Sequence, residues 1–253
     1  MDSQLNNRFR VGGDIQRSLE KAYRLDLKSI FKEGWTQTRG HGWGLLIAIA
    51  GVLAFWLLLT QVVLAPHLIA DDDVSLTLIM SLLVTVLMSP LSSSLDMLGL
   101  QQSIGVRARA TQVFDFFRHF ARLGSLALIS SVVTSVFGPL FALLHLPVMM
   151  ALIPSAVVGM GLIFTVPLVL ERGLTPLRAV LVSLRLFVHG WPSILLLHAV
   201  MALLLMLALI PFGLGLLWLA PLYYNIKGIL YRDLCGIGVE VSEKPSQPAH
   251  FTA

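Results

Sequence analysis

Residues that could do chemistry are sparse along this chain. Its seven histidines, His41, His67, His119, His145, His189, His198 and His250, are dispersed, and no two stand four apart where one helix face could grip a metal ion. A single cysteine, Cys235, leaves neither an intrachain disulfide nor a paired-cysteine metal site to form. His-Glu-x-x-His, Walker-type glycine loops and Gly-x-Ser-x-Gly elbows are missing from the sequence too. The expectation is a non-enzymatic protein with no metal, no cofactor and no catalytic residue.

The better polar signal follows three Pro-Leu pairs, Pro90-Leu91, Pro167-Leu168 and Pro221-Leu222. Counting from each proline, the fourth following position is Ser94, Glu171 or Asn225, and the sixth is Asp96, Gly173 or Lys227. If the registers are equivalent, Asp96 and Lys227 come together. Ser92, Ser93, Ser94, Asp96, Glu171, Tyr223, Tyr224, Asn225 and Lys227 then form a candidate polar zone, with proline loosening backbone hydrogen bonds nearby. The blander alternative is that these charges face lipid headgroups, Lys227 snorkelling to reach them. His198 and Gln61 fall inside apolar runs and are candidate intramembrane polar contacts. A helix-to-helix hydrogen bond is the simpler role for His198, a proton relay the bolder one.

Such groups need elements to hold them, and hydropathy supplies these. The chain is 253 residues long, 56% hydrophobic and only 13% charged, with a mean hydropathy of +0.82. That composition calls for lipid as solvent. Runs of about 20 apolar residues, enough to cross a ~30 Å hydrocarbon layer, cover 43–64, 74–95, 124–144, 148–170, 191–210 and 212–230. Gly124 to Leu170 carries no charge, yet as one helix it would be about 70 Å long, so a turn is expected at His145 to Pro147. Pro211-Phe212-Gly213 breaks the last run in the same way. The predicted fold is all-α: six transmembrane helices as three hairpins.

Each hairpin is preceded by a periodic stretch too charged to span. In the first, Leu19, Tyr23, Leu27, Ile30, Phe31 and Trp35 make an apolar stripe beside a basic row of Arg17, Lys21, Arg24, Lys28 and Lys32. Val113, Phe117 and Phe120 with Arg118 and Arg122 repeat the theme, as do Leu174, Leu177, Leu181, Leu184 and Phe187 with Arg178 and Arg185. They read either as amphipathic interfacial helices binding anionic headgroups or as juxtamembrane helices packing on loops. His41-Gly42-Trp43 and His189-Gly190-Trp191 echo each other at the openings of the first and fifth spans, which supports three repeated units. Residues 1–13 read as a disordered start, 14–235 as one transmembrane domain and 236–253 as a flexible tail.

Charge orients the bundle. The net charge of +4 comes from 18 Lys and Arg against 14 Asp and Glu, and every basic residue falls in segments on one side. The first loop opposite is Asp71-Asp72-Asp73. By the positive-inside rule the basic side is cytoplasmic, with both ends inside. No cleavable signal is expected, since the first long apolar run starts only at Trp43.

From about residue 120 to 235, the spans broken at Ile153-Pro154, Gly159, Gly161 and Pro167 lead to the serine-containing basic helix Ser183 to Trp191. Ala220-Pro221 to Tyr231-Arg232-Asp233-Leu234 then closes the stretch. This arrangement resembles a diffuse group of uncharacterised bacterial inner-membrane proteins, including YciC-like proteins and the membrane domain attached to some glycerophosphodiester phosphodiesterases. The resemblance implies a bacterial inner membrane and no established activity, and the phosphodiesterase catalytic domain has no counterpart here. The expected partners are the bilayer and its anionic phospholipids, with a membrane-protein partner or a second copy of the chain, and no nucleic acid. The expected role is organisation of lipid or partner proteins at the cytoplasmic leaflet; the rival is a small transporter or lipid-handling protein working through the polar zone.

Overall fold

The computed structural model describes residues 8–20, 23, 25–66 and 74–240, nearly all of them helical. Strand β1 (Arg8–Val11) and helix α1 (Ile15–Glu20) lead into α2 (Leu27–Leu59), which ends in a π-helical turn at Thr60–Leu64. After α3 (Val74–Ser103) come a 3-10 segment (Ala110–His119), α4 (Phe120–Ser135), α5 (Phe137–Leu143) and a second 3-10 turn (Val148–Ala151). The chain closes with α6 (Leu152–Gly161), α7 (Thr165–Leu170), α8 (Pro176–Leu209), α9 (Leu216–Cys235) and strand β2 (Ile237–Glu240).

Five stretches, Leu27–Leu64, Ser75–Ser103, Ala110–Leu143, Val148–Leu170 and Pro176–Leu209, are long and apolar enough to cross a membrane. That is compatible with a multi-pass membrane protein, as is an outer surface carrying exposed Trp43, Ile47, Leu143, Met206 and Phe212. The chain turns between α5 and α6 at Leu144–Pro147, with His145 at φ 56°, and between α8 and α9, with Phe212 and Gly213 at φ 52° and 79°.

Helix α9 is the axis of the packing. Along α2 its contacts run backwards, Arg232 meeting Glu33, Asn225 meeting Thr38 and Pro221 facing Gly42, so the two helices are antiparallel. Along α3 they run forwards, Tyr224 beside Gly99 and Arg232 beside Ser103. Backbones touch at that crossing: a Cβ on Gly228 would lie 2.4 Å from the Gly99 carbonyl oxygen, and one on Gly99 2.2 Å from that of Tyr224. Small residues let membrane helices approach this closely, where dispersion and not hydrophobicity drives association. One buried core gathers Phe164, Leu168, Leu186, Ile194, Ile226 and Tyr231 where α7 and α8 meet α9. A second joins Leu45 and Ala48 of α2 to Val84, Met88, Leu95 and Leu98 of α3.

Breaks in the long helices are satisfied by side chains. Pro90 has no N–H to give the Val86 carbonyl, and Ser89 Oγ donates to that oxygen at 2.8 Å. Between α6 and α7, fully buried Ser183 of α8 donates to the Gly161 carbonyl at 2.6 Å and accepts the Phe164 N–H at 3.3 Å. At Gly190, where φ −127° and ψ 19° kink α8, Tyr23 lies against the glycine and donates to the Leu186 carbonyl at 2.8 Å.

Several expectations are corrected. The stripe from Leu19 to Trp35 is not one helix: α1 stops at Glu20, and α2 begins behind Asp26, whose carboxylate caps it by accepting the Ser29 N–H at 3.2 Å. From Leu27 the amphipathic stretch and the first span are a single helix, whereas the third stretch, from Leu177 to Phe187, meets its span within α8 at the Gly190 kink. Continuity avoids exposing orphan backbone groups at the interface. The middle stretch is the 3-10 segment instead of an α-helix. The sixth expected span, 212–230, is not overturned: it is helical from Leu216 as α9, which carries Tyr223, Tyr224, Asn225 and Lys227 and is less apolar than the five stretches above. Parts of both expected tails are paired, Arg8–Val11 with Ile237–Glu240, antiparallel from Arg8↔Glu240 to Val11↔Ile237. Residues 1–7 and 241–253, Lys21, Arg24 and Asp71–Asp73 lie outside the described residues.

Candidate functional site

Spacing on α9 decides which polar groups meet. Tyr223 and Lys227 are one turn apart and share a face, while Asn225 and Arg232, seven apart, share the opposite one. On the first face Lys227 Nζ donates to Asp96 Oδ1 of α3 at 2.5 Å, the two side chains being 15% and 14% exposed. The glycine crossing at Gly99 and Gly228 brings the helices near enough for that reach. The rings of Tyr223 and Tyr224 lie 5.6 and 5.7 Å from the ammonium, within cation–π range. His198 of α8 stands edge-on to Tyr223, with centroids 6.3 Å apart. Its Nδ1 is 2.8 Å from the Ile194 carbonyl, which makes Nδ1 the protonated nitrogen and leaves buried Nε2 as an acceptor with no partner among the described residues.

The structure thus gathers Asp96, Lys227, Tyr223 and Tyr224, and adds His198, which was expected to bond a neighbouring helix and bonds its own. The rest of the expected polar zone is dispersed. Ser92 is exposed; Ser93 and Ser94 are buried, Ser94 Oγ donating to the Leu91 carbonyl at 2.6 Å. Asn225 is fully buried on the other face, where Nδ2 donates to Thr38 Oγ1 at 3.0 Å. Gln61 is exposed on the π-helical turn.

Glu171 belongs to a separate cluster beneath the ribbon. It accepts from Tyr231 Oη at 2.7 Å and from the Gly238 N–H at 3.3 Å. Arg172 Nε lies 3.2 Å from the same carboxylate, an ion pair without hydrogen-bond alignment. The Arg172 fork turns to the carbonyls of Cys235 and Gly236 instead.

A third cluster was not foreseen. Arg232 grips Glu33 through two nitrogens at 2.6 and 3.0 Å, donates to the Ser103 carbonyl at 2.6 Å and pairs with Asp233 at 2.8 Å, tying α2, α3 and α9 together. The available signal was Glu33 standing alone among basic neighbours. Tyr23, which periodicity places in an apolar stripe, is a donor to the Leu186 carbonyl, and burial pushes its phenol well above the usual value. Of the basic row, Arg17 on α1 and Lys28 and Lys32 on α2 are exposed. Comparison with protein families, with curated proteins and with solved structures finds no match for this chain.

Proposed function

We propose that this chain is a non-enzymatic protein of the bacterial inner membrane, of the YciC-like kind its sequence resembles. In this reading it crosses the membrane six times with both ends in the cytoplasm, and its basic face organises anionic phospholipid and partner membrane proteins. The carrying observation is charge placement: when the run 212–230 is counted as a sixth span beside the five apolar helical stretches, all the basic residues fall in segments on one side. Each Lys or Arg near an anionic leaflet contributes about 1 kcal/mol. Pairing of Arg8–Val11 with Ile237–Glu240 favours six crossings over five, since an odd number would part the two ends.

The test is lipid retention in nanodiscs of mixed phosphatidylglycerol and phosphatidylcholine, read by native mass spectrometry. Phosphatidylglycerol should be enriched around the wild-type chain, and the enrichment should fall with salt and in Arg17→Glu/Lys28→Glu/Lys32→Glu. Equal retention in the charge-reversed variant would sink the reading. A second reading, a small transporter, is favoured by the Asp96, Lys227 and His198 cluster between proline-bearing helices. Solute or proton flux into liposomes that disappears in Asp96→Asn while lipid retention is unchanged would prefer it.

A further inference from the structure

Between α2, α3 and the 3-10 segment lies an apolar groove of about 430 Å³, lined along α2 by Ile47, Ala48, Gly51, Val52 and Phe55 and walled by Leu91, Val113, Phe114 and Phe117. Its volume falls in the ~300–1,000 Å³ range of small-molecule sites. The floor is packed, Ala48, Val52, Leu91 and Val113 being buried, while the flank is open: Phe55, Phe114 and Phe117 are 44%, 69% and 42% exposed. From Ile47 to Phe55 the α2 axis rises about 12 Å, so the groove runs lengthwise along a helix with the composition of a membrane span. Nothing lies within 4 Å of a Cβ built on Gly51, so the middle of the groove is empty space.

Charge identifies the occupant. Ala110 and Thr111 also line the groove, directly after exposed Arg107 and Arg109, and the intervening Ala108 packs against Gly44, one turn of α2 before Ile47. Asp115, the one carboxylate of the segment, does not line the groove. An apolar slot along a membrane helix, with two exposed arginines on the chain that leads into its lining, matches one ligand shape: a hydrocarbon chain beneath an anionic head. We propose that this groove is a specific site for one acyl chain of an anionic glycerophospholipid, its phosphate held by Arg107 and Arg109. The inference rests on the reading above and deepens it, since it places one lipid at one site on the chain.

The experiment reconstitutes the full chain in nanodiscs containing phosphatidylglycerol with a photoreactive diazirine on its acyl chain and maps adducts by peptide mass spectrometry. Adducts should concentrate at Phe55, Phe114 and Phe117 over Leu196 and Leu203, which are exposed on α8. Gly51→Phe, which fills the slot, should bring labelling at Phe114 down to the level at Leu196, and Thr111→Trp should do the same from the other wall. Arg109→Gln should reduce the preference for phosphatidylglycerol over the phosphatidylcholine probe about fivefold, the factor for one arginine near an anionic surface. Uniform labelling of groove and α8 surface, or unchanged labelling in both filled variants that remain monodisperse, would overturn the site. So would protection of the groove in a dimer with no lipid adduct, since a second copy would then be the occupant. Retained phosphatidylglycerol without groove adducts would defeat this inference and leave the proposed function standing; loss of both would defeat the two together.

Discussion

A charge pair this deeply enclosed is valuable only while both partners stay. Removing one leaves the other without a counter-charge where water is scarce, at a cost of about 3–5 kcal/mol, whereas an apolar pair of similar volume is often tolerated. Asp96→Asn and Lys227→Met should therefore each lower the midpoint of thermal unfolding in detergent, and the double variant should regain part of the loss. A coupling of about 1–3 kcal/mol is expected from the cycle. Strict additivity would mean that the two groups face headgroups independently, where pairs contribute only about 0–1 kcal/mol. This contact was readable because proline punctuates the apolar runs, and counting from Pro90 and Pro221 lands on opposite charges. Arg232 offered no such ruler: the sequence holds Glu33, Asp96, Glu171 and Asp233 as comparable partners, and only the antiparallel crossing of α2 and α9 selects among them.

The same limit governs the helices. Hydropathy and charge together located the apolar runs and the turns at His145 and Phe212, because lipid demands uncharged length and because Pro and Gly interrupt it. Hydropathy does not record where a helix stays whole. An amphipathic stretch and the span that follows it look like two units, yet α2 runs through both, since breaking the ladder would strand backbone groups, while α8 kinks at Gly190 where its two parts join. Gly99 and Gly228 were equally silent among 20 glycines, although the close approach of α3 and α9 depends on them. Gly228→Ala must move one backbone away from the other, because its Cβ would meet the Gly99 carbonyl at 2.4 Å. A loss of about 1–3 kcal/mol is expected, as for other overpacked sites, together with a weakened Asp96–Lys227 pair. Thermal unfolding of Gly228→Ala in the wild-type and Asp96→Asn/Lys227→Met backgrounds measures both, and an unchanged midpoint in wild type would mean that the helices do not cross there.

Pairing of Arg8–Val11 with Ile237–Glu240 keeps these two segments on one side of the bundle. In a Cys235→Ala background, a single cysteine at Asp72 should react with an impermeant thiol reagent outside intact cells, and cysteines at Ser103 or Ser242 should not. Labelling at Ser242 alone would mean five crossings and would contradict the ribbon of β1 with β2. That ribbon also imposes an order on biosynthesis. Arg8–Val11 leaves the ribosome before any span, and its partner Ile237–Glu240 follows the last of them, more than two hundred residues later. At ~5–20 residues per second that delay is roughly 10–40 s. Through this interval every apolar helix can enter the bilayer while β1 is still without its partner strand. Glu33 and the Ser103 carbonyl emerge early, and Arg232, made just before β2, reaches back to them as the closure begins. A ribosome stalled short of Ile237 would hold a chain whose helices are inserted and whose two ends have not yet met.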